Sequence, residues 1–173
     1  MTTGAGAKTK PGDAKKAAAG AAGKRRPLTL REELEKAAKG LSFMSESDYT
    51  FQFFTLPVWD NNAFTPEGFL SSLGISQMLI DELNLPVDRV IEERAFADFL
   101  PSADDLAGRD GVDVSDPNVV AESKRYRKLE AALKKRLRDL KVFRVGQVEI
   151  RCFLAGLDET GHIAGLVTTA VET

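Results

Sequence analysis

Leu41-Ser42-Phe43-Met44-Ser45-Glu46-Ser47-Asp48-Tyr49-Thr50-Phe51-Gln52-Phe53-Phe54-Thr55-Leu56-Pro57 is the stretch on which the fold turns. It reads as a hydroxyl-rich loop carrying Glu46 and Asp48, set between a helix that stops near Gly40 and an aromatic strand that starts near Tyr49. Rigid elements on both sides hold such acids in place, and Phe43 and Met44 supply an apolar base that keeps the loop tip presented. The strand, Tyr49 to Leu56, puts Tyr49, Phe51, Phe53 and Thr55 on one face and Gln52, Phe54 and Leu56 on the other. Aromatic residues on both faces predict layers on both sides of a sheet.

Upstream, Thr29-x-x-Glu32 is a capping box, and Leu30, Leu34, Ala37, Ala38 and Leu41 recur at helical spacing around the stop at Gly40. Residues 1 to 26 are Ala/Gly/Lys-rich and lack the large apolar side chains needed to offset the entropy of ordering, so a disordered basic tail is expected, with residues 27 to 173 forming the domain.

Downstream, the turn-rich segment Pro57 to Asn62 holds the sole tryptophan, Trp59, a candidate interface anchor, although a ring folded over the core is the commoner outcome. Thr65-Pro66-Glu67 starts a short helix that stops at Gly74, and Ile75-Ser76 starts another running to about Asn84. A short strand is expected near Arg89 to Arg94 and a helical turn near Phe96 to Leu100. Pro101 to Ser115, acidic and without a sustained period, predicts a mobile surface loop. Its Asp104, Asp105, Asp110 and Asp113, with Asp116 beyond, lack the twelve-residue calcium register that closes on a bidentate glutamate, so solvated acids and no metal of the protein's own are expected.

Asp116-Pro117 opens the longest helix, to about Leu140, with an apolar stripe of Val119, Tyr126, Leu129, Leu133, Leu137 and Leu140. Its basic face suits the helix dipole and a solvated back. Two strands follow, Val142 to Ala155 and Ile163 to Val171, joined through Gly156 to Gly161, and the last runs straight into Glu172 and Thr173. A strand ending there presents the Thr173 carboxylate as a rigid oxygen ligand.

Charge is distributed unevenly. Residues 1 to 26 hold seven Lys/Arg and one Asp, or +6, whereas residues 27 to 173 hold 17 basic and 25 acidic side chains, or −8. An acidic domain repels polyanions and speeds association with a basic partner, which disfavours nucleic acid as a ligand except through the basic tail. The single cysteine, Cys152, lies in a strand pattern, excludes an intrachain disulfide and suits a reducing compartment such as the cytoplasm. His162, the sole histidine, sits in a hairpin turn, so neither a His-pair zinc site nor a convincing Ser-His-acid triad is available. Neither a membrane span nor a secretory h-region is indicated.

Met44-Ser45-Glu46-Ser47-Asp48-Tyr49 with Phe53-Phe54, then Tyr126 in a basic helix, Val142-Phe143-Arg144-Val145-Gly146 with Glu149-Ile150, Gly165-Leu166-Val167-Thr168 and the closing Val171-Glu172-Thr173 resemble the nuclease A inhibitor-like family, across residues 28 to 173. The resemblance implies an α+β fold, a three-layer α-β-α sandwich with a mainly antiparallel sheet like that of pathogenesis-related-1 proteins. It implies a non-enzymatic inhibitor without a cofactor, whose partner is a magnesium-dependent, sugar-nonspecific nuclease of the ββα-metal type. The family's loop glutamate falls on Glu46. Its terminal threonine, whose carboxylate reaches the partner's magnesium, falls on Thr173. Asp48 and Glu172 then add electrostatic steering toward a basic cleft.

Three other readings compete. An interaction module of the same fold with a non-nuclease partner uses the same surface. An enzyme with Glu46 and Asp48 as an acid-base pair lacks a nucleophile pairing or phosphate loop. Nucleic-acid binding through residues 1 to 26 predicts salt-sensitive retention on DNA that is lost with the tail.

Overall fold

A computed structural model describes residues 26–43, 49–58, 63–75 and 90–172. Helix α1 (Leu30–Ala38) starts at the expected capping box: the Glu32 amide donates to Thr29 Oγ1 at 3.2 Å and the Thr29 amide donates to Glu32 Oε2 at 2.9 Å. Gly40 ends it at φ +70°, and a Cβ there would lie 2.6 Å from Arg125 Nη2. Among the described residues, strands β1 (Ser42–Phe43) and β2 (Tyr49–Thr50) pair only with each other. Strand β3 (Gln52–Leu56) joins the main sheet. Helix α2 (Pro66–Ser72) is capped by Thr65, whose Oγ1 accepts from the Gly68 amide at 3.2 Å.

Strand β4 (Ile91–Ala95) passes into a 3-10 turn (Phe96–Asp98), followed by helices α3 (Ala103–Asp110) and α4 (Pro117–Arg136). Strands β5 (Arg138–Val145), β6 (Glu149–Leu157) and β7 (Ile163–Val171) complete a sheet of order β3-β7-β6-β5-β4 in which every pair is antiparallel.

The strand alternation sorts the core into two layers. Val142, Leu154 and Leu166 face α1, α3 and α4, packing with Leu34, Leu106, Tyr126, Leu129 and Leu133. Phe143, Phe153 and Ile163 face the other way, onto Phe69 and Leu70 of α2. Phe69 stacks on Phe143 at 4.4 Å and meets the edge of Phe153 at 5.1 Å. Each such fully buried side chain contributes about 1.5–3 kcal/mol, so both layers are needed to hold the sheet. The result is the expected α+β arrangement, with helices on both faces of an antiparallel sheet. No helix among the described residues is long and apolar enough to cross a membrane.

Four expectations are corrected. Tyr49 to Leu56 is not one strand: it divides at Phe51, because Tyr49–Thr50 pair with Ser42–Phe43 while Gln52–Leu56 pair with β7. The segment expected to be a mobile loop contains α3, opened by a Ser102/Asp105 capping box, ended by Gly111 at φ +64° and anchored by buried Leu106 and Ala107. Its aspartates have local work: Asp105 in that box, Asp110 against Arg109, and Asp113 and Asp116 accepting from the Ser115 and Asn118 amides.

The long helix stops at Arg136, not Leu140, since Leu137 is already extended and Asp139 adopts φ 53° beside a register shift in β5. Finally, Val142 to Ala155 is two strands that reverse at Gly146, φ +114°, and Gly156 lies within β6, not in the following turn. The helix expected from Ser76 to Asn84 and the tail over residues 1–25 lie outside the described residues.

Candidate functional site

The predicted site is assembled from two parts of the chain, the flanks of segment 44–48 and the end of β7. Glu46, Asp48, Trp59 and Thr173 themselves lie outside the described residues. What the structure describes is the frame on which those positions are strung.

The first flank is fixed by α1 and α4. After Gly40, the Leu41 amide donates to Ala38 O at 3.0 Å, and the Leu41 side chain is buried. Arg125 Nη2 donates to Lys39 O at 2.9 Å, and the hydroxyl of fully buried Tyr126 donates to Ser42 O. Phe43 then stacks flat on Phe99, with centroids 4.7 Å apart and planes within 3°. Register pairs Ser42↔Thr50 and Phe43↔Tyr49 tie the first flank to the second.

The second flank is fixed by β7. Thr168 Oγ1, buried, donates to Tyr49 O at 3.1 Å. Phe43 and Phe99 also pack on a small cluster of Ile150, Cys152 and Ala170. Ala170 stands two residues before Glu172, about 7 Å of strand rise. The described residues that bracket segment 44–48 and those that lead to the end of the chain therefore share one end of the sheet.

Glu172 is the one predicted site residue that the structure describes. Its amide donates to Val148 O at 3.0 Å, and its exposed carboxylate accepts from Arg144 Nη2. Arg144 is 7% exposed, and its Nη1 also donates to Glu92 Oε2 at 3.0 Å. Glu92 in turn accepts from Arg94 Nε at 2.8 Å, and that hydrogen bond, with the positive charge of Arg94 and Arg144 against some burial, holds its carboxyl below the usual glutamate range. A guanidinium this buried requires counter-charges, so Glu92 and Glu172 are held to it. Glu172 was expected to steer a partner; in the structure its carboxylate is paired to Arg144 and its backbone is clamped at the end of the sheet.

Sequence reasoning assigned no role to Arg144, Glu92 or Phe99. Arg144 was findable: it shares strand parity with Val142, so a core-facing strand position is occupied by a cation. Cys152, its register partner, is buried, and burial raises its thiol pKa against the pull of Arg144, which describes a structural thiol and not a nucleophile. His162 is exposed in the β6–β7 turn beside Thr160, with Oγ1 to Nδ1 at 2.6 Å. No group of three or more His, Cys, Asp or Glu side chains suited to holding a metal occurs among the described residues.

An antiparallel sheet walled on both faces, with the short β1–β2 pair braced by side chains against the last strand, defines an α+β protein. The chain belongs to the nuclease A inhibitor-like protein family, whose model matches residues 29–173. The family implies a nuclease as the general kind of partner. A search of curated proteins found no match.

Proposed function

We propose that this protein inhibits a magnesium-dependent, sugar-nonspecific nuclease of the ββα-metal type by occluding its active site, with Glu46 and the Thr173 carboxylate facing the nuclease's metal. Magnesium takes hard oxygen ligands and keeps several waters, so a carboxylate on a rigid strand end substitutes for a substrate phosphate. Asp48 adds negative charge for steering toward a basic cleft. Trp59 is a candidate anchor of its own, since Leu56 before it pairs with Ile163, at the opposite end of β7 from Val171. Arg144 acts as a positioning residue by holding Glu172, the residue before Thr173.

The observation that supports this reading most is the joining of the two flanks: Tyr49 O accepts from Thr168, and Phe43 packs in the same cluster as Ala170. The described residues on either side of segment 44–48 and those that lead to the chain end are thereby joined at one end of the sheet. The inhibitor is not an enzyme in this reading.

The test is titration of a magnesium-dependent nonspecific nuclease with the wild-type protein, with Glu46→Gln, and with a variant carrying one added glycine after Thr173. The wild type should inhibit, and each variant should weaken inhibition by at least about tenfold, or ~1.4 kcal/mol, with an unchanged melting temperature. Full inhibition by the extended chain overturns the plug geometry. A wild type that inhibits no such nuclease, yet retains another protein in a pull-down from its own cell extract, supports the interaction-module reading instead.

A further inference from the structure

We propose that the groove between α1 and α4 binds the phosphate backbone of a nucleic-acid strand. The proposal is independent of the nuclease reading and rests on where the fold gathers its cations. The two helices run antiparallel: Lys135 and Arg136 at the end of α4 bond to Glu33 at the start of α1, and Arg125, well inside α4, bonds to Lys39 O at the end of α1. Between them lies a groove of about 710 Å³ with Leu28, Ala37 and Ala132 in its lining. Lys36 and Lys39 line it from α1, and Arg125, Lys128, Lys135 and Arg136 from α4.

These six are drawn from 17 basic residues in a domain whose net charge is −8, so the groove runs against the charge of the chain around it. Among the described residues Glu33 is the one acid in its lining, and it is already taken by Lys135 and Arg136. The hydrogen bond from Lys135, with Arg136 adding to it against burial, holds the Glu33 carboxyl below its ordinary range. Lys36, Lys39 and Lys128 are exposed and have no carboxylate partner among the described residues. The helix dipole accounts for cations in a last turn but not for Arg125 and Lys128, which sit two turns or more before Arg136.

The lining selects the ligand. Among the described residues it contains no aromatic ring on which a base would stack and no Asn or Gln to read a base edge, which leaves the backbone as the recognised part. Alanines on the floor leave room for a chain of phosphates and give no deep apolar pocket for a protein anchor residue. From Arg125 to Arg136 the helix rises about 16 Å, long enough to run beside two or more consecutive phosphates of a single strand. The sequence that leads into Pro27 and Leu28 adds seven Lys/Arg against one Asp over residues 1–26, the same sign as the groove.

The test uses the full chain and a labelled single-stranded 20-mer of mixed sequence, followed by fluorescence anisotropy from 25 to 200 mM salt. The wild type should bind with log K falling linearly against log salt, and Lys36→Glu/Lys128→Glu should bind at least about tenfold more weakly, its slope shallower by about 1.4 for two lost phosphate contacts on a single strand. Both side chains are exposed and have no carboxylate partner among the described residues, and circular dichroism should show the variant folded. A chain lacking residues 1–25 should retain salt-dependent binding, weaker than the full chain.

Absence of binding at 25 mM salt overturns the proposal. So does a folded double variant that binds like the wild type, since binding then belongs to the tail. Displacement by poly-glutamate as effective as displacement by unlabelled oligonucleotide, at equal charge concentration, also overturns it in favour of an acidic protein ligand.

Discussion

The β6–β7 hairpin is joined through nine register pairs, from Glu149↔Val171 to Leu157↔Ile163, whereas the β1–β2 pair rests on two, Ser42↔Thr50 and Phe43↔Tyr49. The long hairpin also secures its own turn, since Asp158 Oδ1 accepts from the amides of Thr160 at 2.8 Å and His162 at 3.0 Å. The short one has no such ladder, and a two-stranded ribbon of that size is not stable alone in water. Among the described residues it is held from outside by Phe99 under Phe43, Tyr126 on Ser42 and Thr168 on Tyr49, with Ile150, Cys152 and Ala170 also packed against Phe43. One hairpin carries the sheet and the other is carried by it. Substitutions in the first should therefore act on stability, and substitutions around the second on what that sheet end does.

Gly165→Ala gives the largest effect. A Cβ at Gly165 would stand 1.8 Å from Leu154 O, so β6 and β7 would have to part at the centre of the sheet. Overpacking against backbone leaves no flexible side chain to yield, and the expected loss is more than about 3 kcal/mol in denaturant unfolding. A midpoint near that of the wild type would show that β6–β7 is not the sheet's mainstay.

Phe99→Ala should cost about 1–2 kcal/mol, less than the full value for a buried phenylalanine because Phe99 is half-buried. Its effect on nuclease inhibition should exceed that loss, because the stacked support of Phe43 is removed while the five-stranded ladder is untouched. Full inhibition by a destabilised Phe99→Ala would mean that β1–β2 holds its place without the ring.

The same contrast explains what was legible in the sequence. Thr29/Glu32 and Thr65-Pro66 are local chemical signatures, and both helices start where those residues place them. The Ser102/Asp105 box of α3 is the same device with aspartate at its third position, hidden in an acidic stretch where Leu106 and Ala107 are the only buried residues of the helix. The reversal at Gly146 was hidden because Val148, Ile150, Cys152 and Leu154 alternate with Gln147, Glu149 and Arg151 directly after it, although Val148 is 62% exposed. Leu137 satisfies both periods, ending a helical stripe and beginning a strand, and only the backbone at Leu137 and Asp139 distinguishes them. At the site, words that mark a family do not say which side chain braces which. The placing of Phe99 under Phe43 depends on 55 residues of intervening chain, and no local period reports that.

The smallest effect concerns the charges behind the chain end. Glu92 has its folded pKa lowered, chiefly by the Arg94 hydrogen bond, so its ionised form is favoured in the folded state. A carboxyl lowered on folding stabilises the protein above its unfolded value, near 4.5, and that contribution disappears as pH falls through the lower folded value. Because Glu92 is 48% exposed, solvent screening leaves about a few tenths of a kcal/mol. Glu92→Gln should thus lose little at pH 7 and show a flatter fall of melting temperature below pH 4.5 than the wild type. Glu33, Asp105 and Asp113 are also lowered, but they titrate alike in both proteins and cancel in the difference. With Glu92 neutral, Glu172 becomes the sole carboxylate among the described residues bonded to buried Arg144, and a single exposed partner is a weaker clamp than two. If inhibition by Glu92→Gln becomes more sensitive to salt while its stability at pH 7 hardly moves, the Arg144 pair governs the placing of the chain end and not the folding of the sheet; equal loss in both would make it part of the fold alone.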